Sequence, residues 1–122
     1  MARILVIEAE DLVRRALRRA LERAGHKVLE ARDGGEALRL HRDNPADLVI
    51  TDIRMPEVDG SEVVAALRRL APRLKLIGMF AHDQFRQSDT QRMADRLGAF
   101  ANLPKPVDLE ALLEMVKLAL AK

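Results

Sequence analysis

Residues Arg3 to Ile7 read RILVI, a short and nearly continuous apolar run. A strand with one wet face alternates polar and apolar residues; one without alternation is covered on both faces, as in a parallel sheet flanked by helices. A second such run, DLVIT from Asp47 to Thr51, is followed at once by Asp52, as the first is followed by Glu8. Two doubly buried strands that end in carboxylates restrict the chain to an α/β architecture with acids gathered at one sheet edge.

The segments between these runs carry a helical period. Leu12, Val13, Ala16, Leu17, Ala20, Leu21 and Ala24 recur at three- and four-residue spacing from Glu10 onward, and Gly25 terminates the helix. His26 to Ala31 is a weaker strand, Asp33-Gly34-Gly35 a turn, and Glu36 to Arg42 a short helix stopped at Asn44-Pro45. After a loop with Met55-Pro56 and Asp59-Gly60, Ser61 is expected to cap a helix bearing Val63, Val64, Ala66, Leu67 and Leu70, ended by Pro72. Leu74 to Ala81 reads as a fourth strand, Gln84 to Leu97 as a mostly polar helix and Ala99 to Leu103 as a fifth strand. Asp108 is expected to cap a last helix with Leu109, Leu112, Leu113, Val116 and Leu120. Five strand-to-helix alternations without linker or repeat predict a doubly wound, five-stranded parallel sheet with helices on both faces. At 122 residues, positions 1–122 are expected to form one domain.

Composition narrows the function. Hydrophobic residues at 48% and charged residues at 33% are globular values. With no cysteine, disulfides and thiolate metal sites are excluded, and no apolar run has the length of a membrane span or signal peptide. A cytoplasmic protein without membrane partners is expected. Lys plus Arg at 21 against Asp plus Glu at 19 leaves a net charge of +2, too little to argue for nucleic acid. His26, His41 and His82 lack metal-ligand spacing, and Met79, Met93 and Met115 read as core filler.

In an open doubly wound sheet the functional crevice lies outside the carboxyl ends of the strands. There the predicted ends place Glu8, Ala31, Asp52, Phe80 to Ala81, and Leu103-Pro104-Lys105. A strand-end carboxylate can attack phosphorus to give an acyl phosphate, a step limited by charge crowding, so it needs cations such as Lys105 or a magnesium ion held by the acids. The plain alternative is that the acids cap the following helices and the lysine is surface. Residue types and spacing leave both open.

Four ordered segments decide more: ILVIEAED from Ile4, ARDGGEAL from Ala31, DLVITDIRMPEVDG from Asp47 and LPKPVDLEALL from Leu103. Over nearly its whole length the chain resembles the response-regulator receiver domains of two-component signalling. The resemblance implies a flavodoxin-like fold with strand order 2-1-3-4-5. It also implies phosphoryl transfer from a histidine kinase or phosphotransfer protein onto Asp52, readout by a downstream protein target, and Lys105 as the phosphate-binding lysine. Magnesium is implied on Glu8, Asp52 and the main-chain carbonyl of Arg54, and a cis bond at Lys105-Pro106.

At three positions the chain departs from the family pattern. Ala9 stands where an aspartate directly binds metal, so magnesium is expected to be held weakly. Glu10, one residue on, reads as an acid favoured at a helix start, with compensation for the missing metal ligand as the alternative. Phe80 replaces the Ser or Thr that contacts the phosphoryl group, and Asn102 replaces the aromatic switch residue of the fifth strand. Period-two alternation puts Phe100 on the face of Asn102, where it reads as core. Two functions therefore stand side by side: a phosphoacceptor domain, and a degenerate receiver that binds partners whatever its phosphorylation state. A small-molecule or flavin-binding module is disfavoured by the lack of a glycine-rich phosphate loop. Arg14, Arg15, Arg18, Arg19 and Arg23 form a basic arc on the first helix, with Glu10, Asp11 and Glu22 at pairing distance. It reads as a solvated, ion-paired face, with docking to a kinase or phosphotransfer bundle as the functional alternative.

Overall fold

The computed structural model describes residues 2–52, 60–81, 92 and 95–121. Strands β1 (Arg3–Ile7), β2 (Lys27–Ala31), β3 (Leu48–Asp52), β4 (Lys75–Ala81) and β5 (Ala101–Lys105) form one parallel sheet in the order β2-β1-β3-β4-β5. Helices α1 (Asp11–Arg23), α2 (Gly34–Asp43) and α3 (Gly60–Leu70) and a C-terminal helix (Leu109–Leu120) cover it, and residues 92 and 95–97 are also helical. This is the flavodoxin-like, doubly wound arrangement that the alternation of elements implies.

Each face of the sheet has its own apolar core. Leu5, Ile7, Val49 and Leu76 pack with Ala37 of α2 and Val63, Val64 and Leu67 of α3. Ile4, Val6, Leu48, Ile50, Ile77 and Met79 pack with Leu17 and Leu21 of α1 and Leu112 and Val116 of the C-terminal helix. The central strands are therefore buried on both sides, which is why they carry no alternation.

Several boundaries move from their sequence-based positions, α2 and β5 by the most. Helix α2 begins at Gly34 rather than Glu36, because Asp33 accepts from the Glu36 N–H at 2.9 Å while Glu36 accepts from the Arg32 N–H at 2.8 Å. Gly34 also meets α3 closely: a Cβ there would stand 2.5 Å from Val63 Cγ2. Strand β5 starts and ends two residues late, with Pro104 inside it opposite Phe80. As an edge strand it tolerates a residue with no N–H to donate. Asp108 caps the C-terminal helix as expected, accepting from the Glu110 and Ala111 N–H groups. Ser61's side chain, His82, Met93 and most of Gln84 to Leu97 lie outside the described residues.

Buried His41 ties the α2 end to its neighbours. Its Nδ1 accepts from the Ala46 N–H at 3.0 Å, so Nε2 carries the proton and donates to the Leu67 carbonyl at 3.2 Å. Burial holds its pKa below the ordinary value, against the raising effect of the Leu67 carbonyl. It is a structural histidine between α2 and α3.

Candidate functional site

Glu8 directly follows β1, and its N–H donates to the Ala31 carbonyl of β2 at 3.0 Å, which continues the ladder one residue beyond the strand. Asp52 closes β3 and Lys105 closes β5. The lysine spans the end of the intervening strand: its Nζ donates to Glu8 Oε1 at 2.5 Å and to Asp52 Oδ1 at 2.7 Å. Two carboxylates and one ammonium from three strands thus meet at one point. Burial pushes the Asp52 carboxyl up to about 6, opposed by the Lys105 hydrogen bond and aided by the negative charge of Glu8. Burial alone would lower Lys105, but its hydrogen bonds to Asp52 and Glu8 outweigh that and raise it. At neutral pH Asp52 is mostly ionised and Lys105 a full cation, a state suited to nucleophilic attack on phosphorus.

Glu8 is 2% exposed, and each of its polar groups is engaged. Besides Lys105, its Oε2 accepts from the Glu10 N–H at 2.9 Å, and its main-chain carbonyl accepts from Arg14 Nη1 at 2.9 Å. Glu10 is the N-cap of α1, yet its side chain makes no capping hydrogen bond. The carboxylate that organises this turn belongs to Glu8.

Arg14 departs from the sequence reading. It is 5% exposed rather than part of a solvated arc, and its other N–H groups reach Asp11 Oδ1 at 2.6 Å and Glu30 Oε1 at 3.2 Å. Arg18 bridges Glu22 and Glu30. Arg15, Arg19 and Arg23 are exposed and form no ion pair among the described residues. The arc is thus two files, one paired across the α1–β2 seam and one open. The signal for Arg14 was available: with Leu17 and Leu21 it keeps the 3-and-4 spacing of the buried stripe.

Response regulator receiver domain is the family whose model matches residues 4–117. The chain belongs to that family. It is 40% identical over 121 residues to the response regulator MprA of Mycobacterium sp. (strain KMS), covering 98% of this chain and 51% of the relative. It is 35% identical to the DNA-binding transcriptional regulator NtrC of Azospirillum brasilense over 98% of this chain and 24% of that protein. This receiver therefore spans about half the length of the first relative and a quarter of the second. A receiver domain protein from Clostridium thermocellum superposes with a TM-score of 0.84 at 31% identity, over 98% of this chain and 94% of that one. Receivers of this family are signalling modules, and they typically use magnesium.

At the three positions where the sequence reading expects a departure from the family pattern, the structure places the residues as follows. Ala9 is exposed beside Glu8 and offers no side-chain ligand. Phe80 is half-buried on β4 opposite Pro104, and Asn102 on β5 stands opposite Gly78 with a buried Oδ1 that has no hydrogen-bond partner among the described residues. Phe100 precedes β5 and packs against the same core as Ala101 and Leu103, so it is core, on the face opposite that of Asn102. The alternation used to align the two fails because residue 100 is not in the strand. Lys105-Pro106 is cis. Arg54 lies outside the described residues, and among those described no group of three His, Cys, Asp or Glu is placed to hold a metal. No helix among them is long and apolar enough to cross a membrane.

Proposed function

We propose that residues 1–122 act as one cytoplasmic receiver domain that accepts a phosphoryl group on Asp52, and that the domain is a switch component rather than an enzyme. The observation that carries this reading is Lys105 Nζ held between Asp52 and Glu8. In the reaction an Asp52 carboxylate oxygen forms the new O–P bond while the N–P bond of a donor phosphohistidine breaks, its electron pair returning to the imidazole. Lys105 is the cation that turns from the carboxylate to the incoming phosphoryl oxygens.

The donor set fits a weakly held magnesium ion. Asp52, Glu8 and the Arg54 carbonyl are hard oxygen ligands, but both Glu8 oxygens are already engaged and Ala9 contributes none. When bound, the ion would neutralise charge on the transferring group.

The donor is a histidine kinase or phosphotransfer protein. Leu12, 81% exposed at the head of α1, and the open file Arg15, Arg19 and Arg23 suit an acidic helical surface with an apolar dent beside the pocket. A downstream protein is the output.

A second reading is favoured by Phe80 and Asn102: a degenerate receiver that binds its partner in either phosphorylation state. Incubation with acetyl phosphate and magnesium, read by intact mass, separates the two. Addition of one phosphoryl group supports the first reading, and an unchanged mass supports the second.

A further inference from the structure

We propose that Arg14 is a positioning residue of the Asp52 pocket, the built-in cation that holds the turn after β1 and so aims Glu8 at Lys105. The proposal rests on the reading of Asp52 as acceptor, and its geometry stands apart from that reading. Arg14 is nearly buried in the first turns of α1. One arm of its guanidinium donates to the Glu8 carbonyl at 2.9 Å, the other to Asp11 at 2.6 Å, and Nε donates to Glu30 of β2 at 3.2 Å. The two acids fix the plane of the fork, and the fork fixes the carbonyl. A residue whose carbonyl is held by Arg14 and whose N–H is held by Ala31 has little main-chain freedom left, so the Glu8 side chain leaves it in one direction. That direction brings Oε2 to the Glu10 N–H and Oε1 to Lys105.

The consequence is specific to a chain with Ala9. Where a second acid and a divalent ion are available, the ion can organise this turn. Here the turn is held by a guanidinium that does not dissociate, so the aim of Glu8 at Lys105 should not depend on a bound ion. Arg14 touches neither Asp52 nor the phosphoryl group, and its effect passes through Glu8.

The test has two arms on the full chain. In unphosphorylated protein, hydrogen exchange of the Glu10 amide reports whether Glu8 stays aimed. With acetyl phosphate, the initial rate of mass gain reports the pocket. Arg14→Met should speed Glu10 exchange about tenfold, relative to amides of the C-terminal helix, and slow labelling about tenfold. Arg14→Lys keeps charge and stem but not the fork, serves if the methionine variant does not fold, and should show about threefold effects in both arms. Glu22→Gln removes an exposed ion pair to Arg18 on the same helix without touching Arg14, and should change both readouts less than twofold. Wild-type Glu10 protection should be the same in magnesium and in chelator. Unchanged Glu10 exchange in both Arg14 variants, or an equal loss in Glu22→Gln, would overturn the proposal. If the wild type takes no label, the acceptor reading fails while the exchange arm still decides the role of Arg14.

Discussion

On the β1 side of Asp52 every polar group of Glu8 has a partner, whereas on the β5 side Asn102 buries a carbonyl oxygen that has none among the described residues. The first side is a closed set of charge-assisted hydrogen bonds around a carboxylate, which is the arrangement that a buried charge demands. The second side places the ring of Phe80 on β4 and the amide of Asn102 on β5. On the proposed function, the pocket keeps its means of accepting a phosphoryl group while its means of reporting the event is altered. The acceptor side needs fixed geometry; a switch needs two arrangements and a contact that distinguishes them.

Asp52→Asn makes the sharpest test of the acceptor side. Labelling should disappear entirely, and its survival, or its appearance on another residue, would break the assignment. The same variant should be more stable than wild type by about 1–3 kcal/mol at pH 7, because a folded-state pKa near 6 against 3.8 means that folding disfavours the ionised form. The raised pKa implies a stability contribution present below pH 3.8 and lost as pH rises through 6. The advantage of the asparagine variant in urea unfolding should therefore shrink as pH falls from 7 toward 4.

Next in size is the metal. Ala9→Asp returns an anionic oxygen to the turn after β1 and should tighten magnesium about tenfold. Equal affinities by calorimetry would show that Glu8, already engaged on both oxygens, rather than Ala9 limits the site.

A smaller effect is expected across the pocket. Asn102→Leu removes the unpartnered buried oxygen and should raise stability by about 1 kcal/mol in urea unfolding. A loss instead would mean that the amide has an ordered partner in solution.

Smallest of all should be the conformational response. With beryllofluoride bound, as confirmed by fluorine signals, amide shifts should stay near Asp52, Glu8 and Lys105, because neither Phe80 nor Asn102 offers the phosphoryl group a hydroxyl to recruit. Large shifts running through residues 80 to 103 would erase the contrast between the two sides.

Local rules made much of this molecule legible in its sequence. The apolar runs at Arg3 to Ile7 and Asp47 to Thr51, the helical period of α1 and the Asp108 cap each depend on neighbours within a turn or a strand. For that reason the order of elements and the acidic sheet edge follow from the chain alone. The resemblance carried by the segments around Asp52 and Lys105 added the strand order and the candidate acceptor. What the tertiary structure decided depends on residues far apart in the chain. Lys105 lies 97 residues from Glu8, and only the sheet order brings β5 close enough for its side chain to cross β4. The end of β5 shifted because Pro104 is harmless on an edge strand, and a segment read by itself has no edge. Arg14 was read as solvated by its charge and proved buried because Glu30, on another strand, and the Glu8 carbonyl supply the partners that make burying a guanidinium affordable. Periodicity tells which side of a helix faces inward; only the packed neighbours decide whether a charge can follow it there.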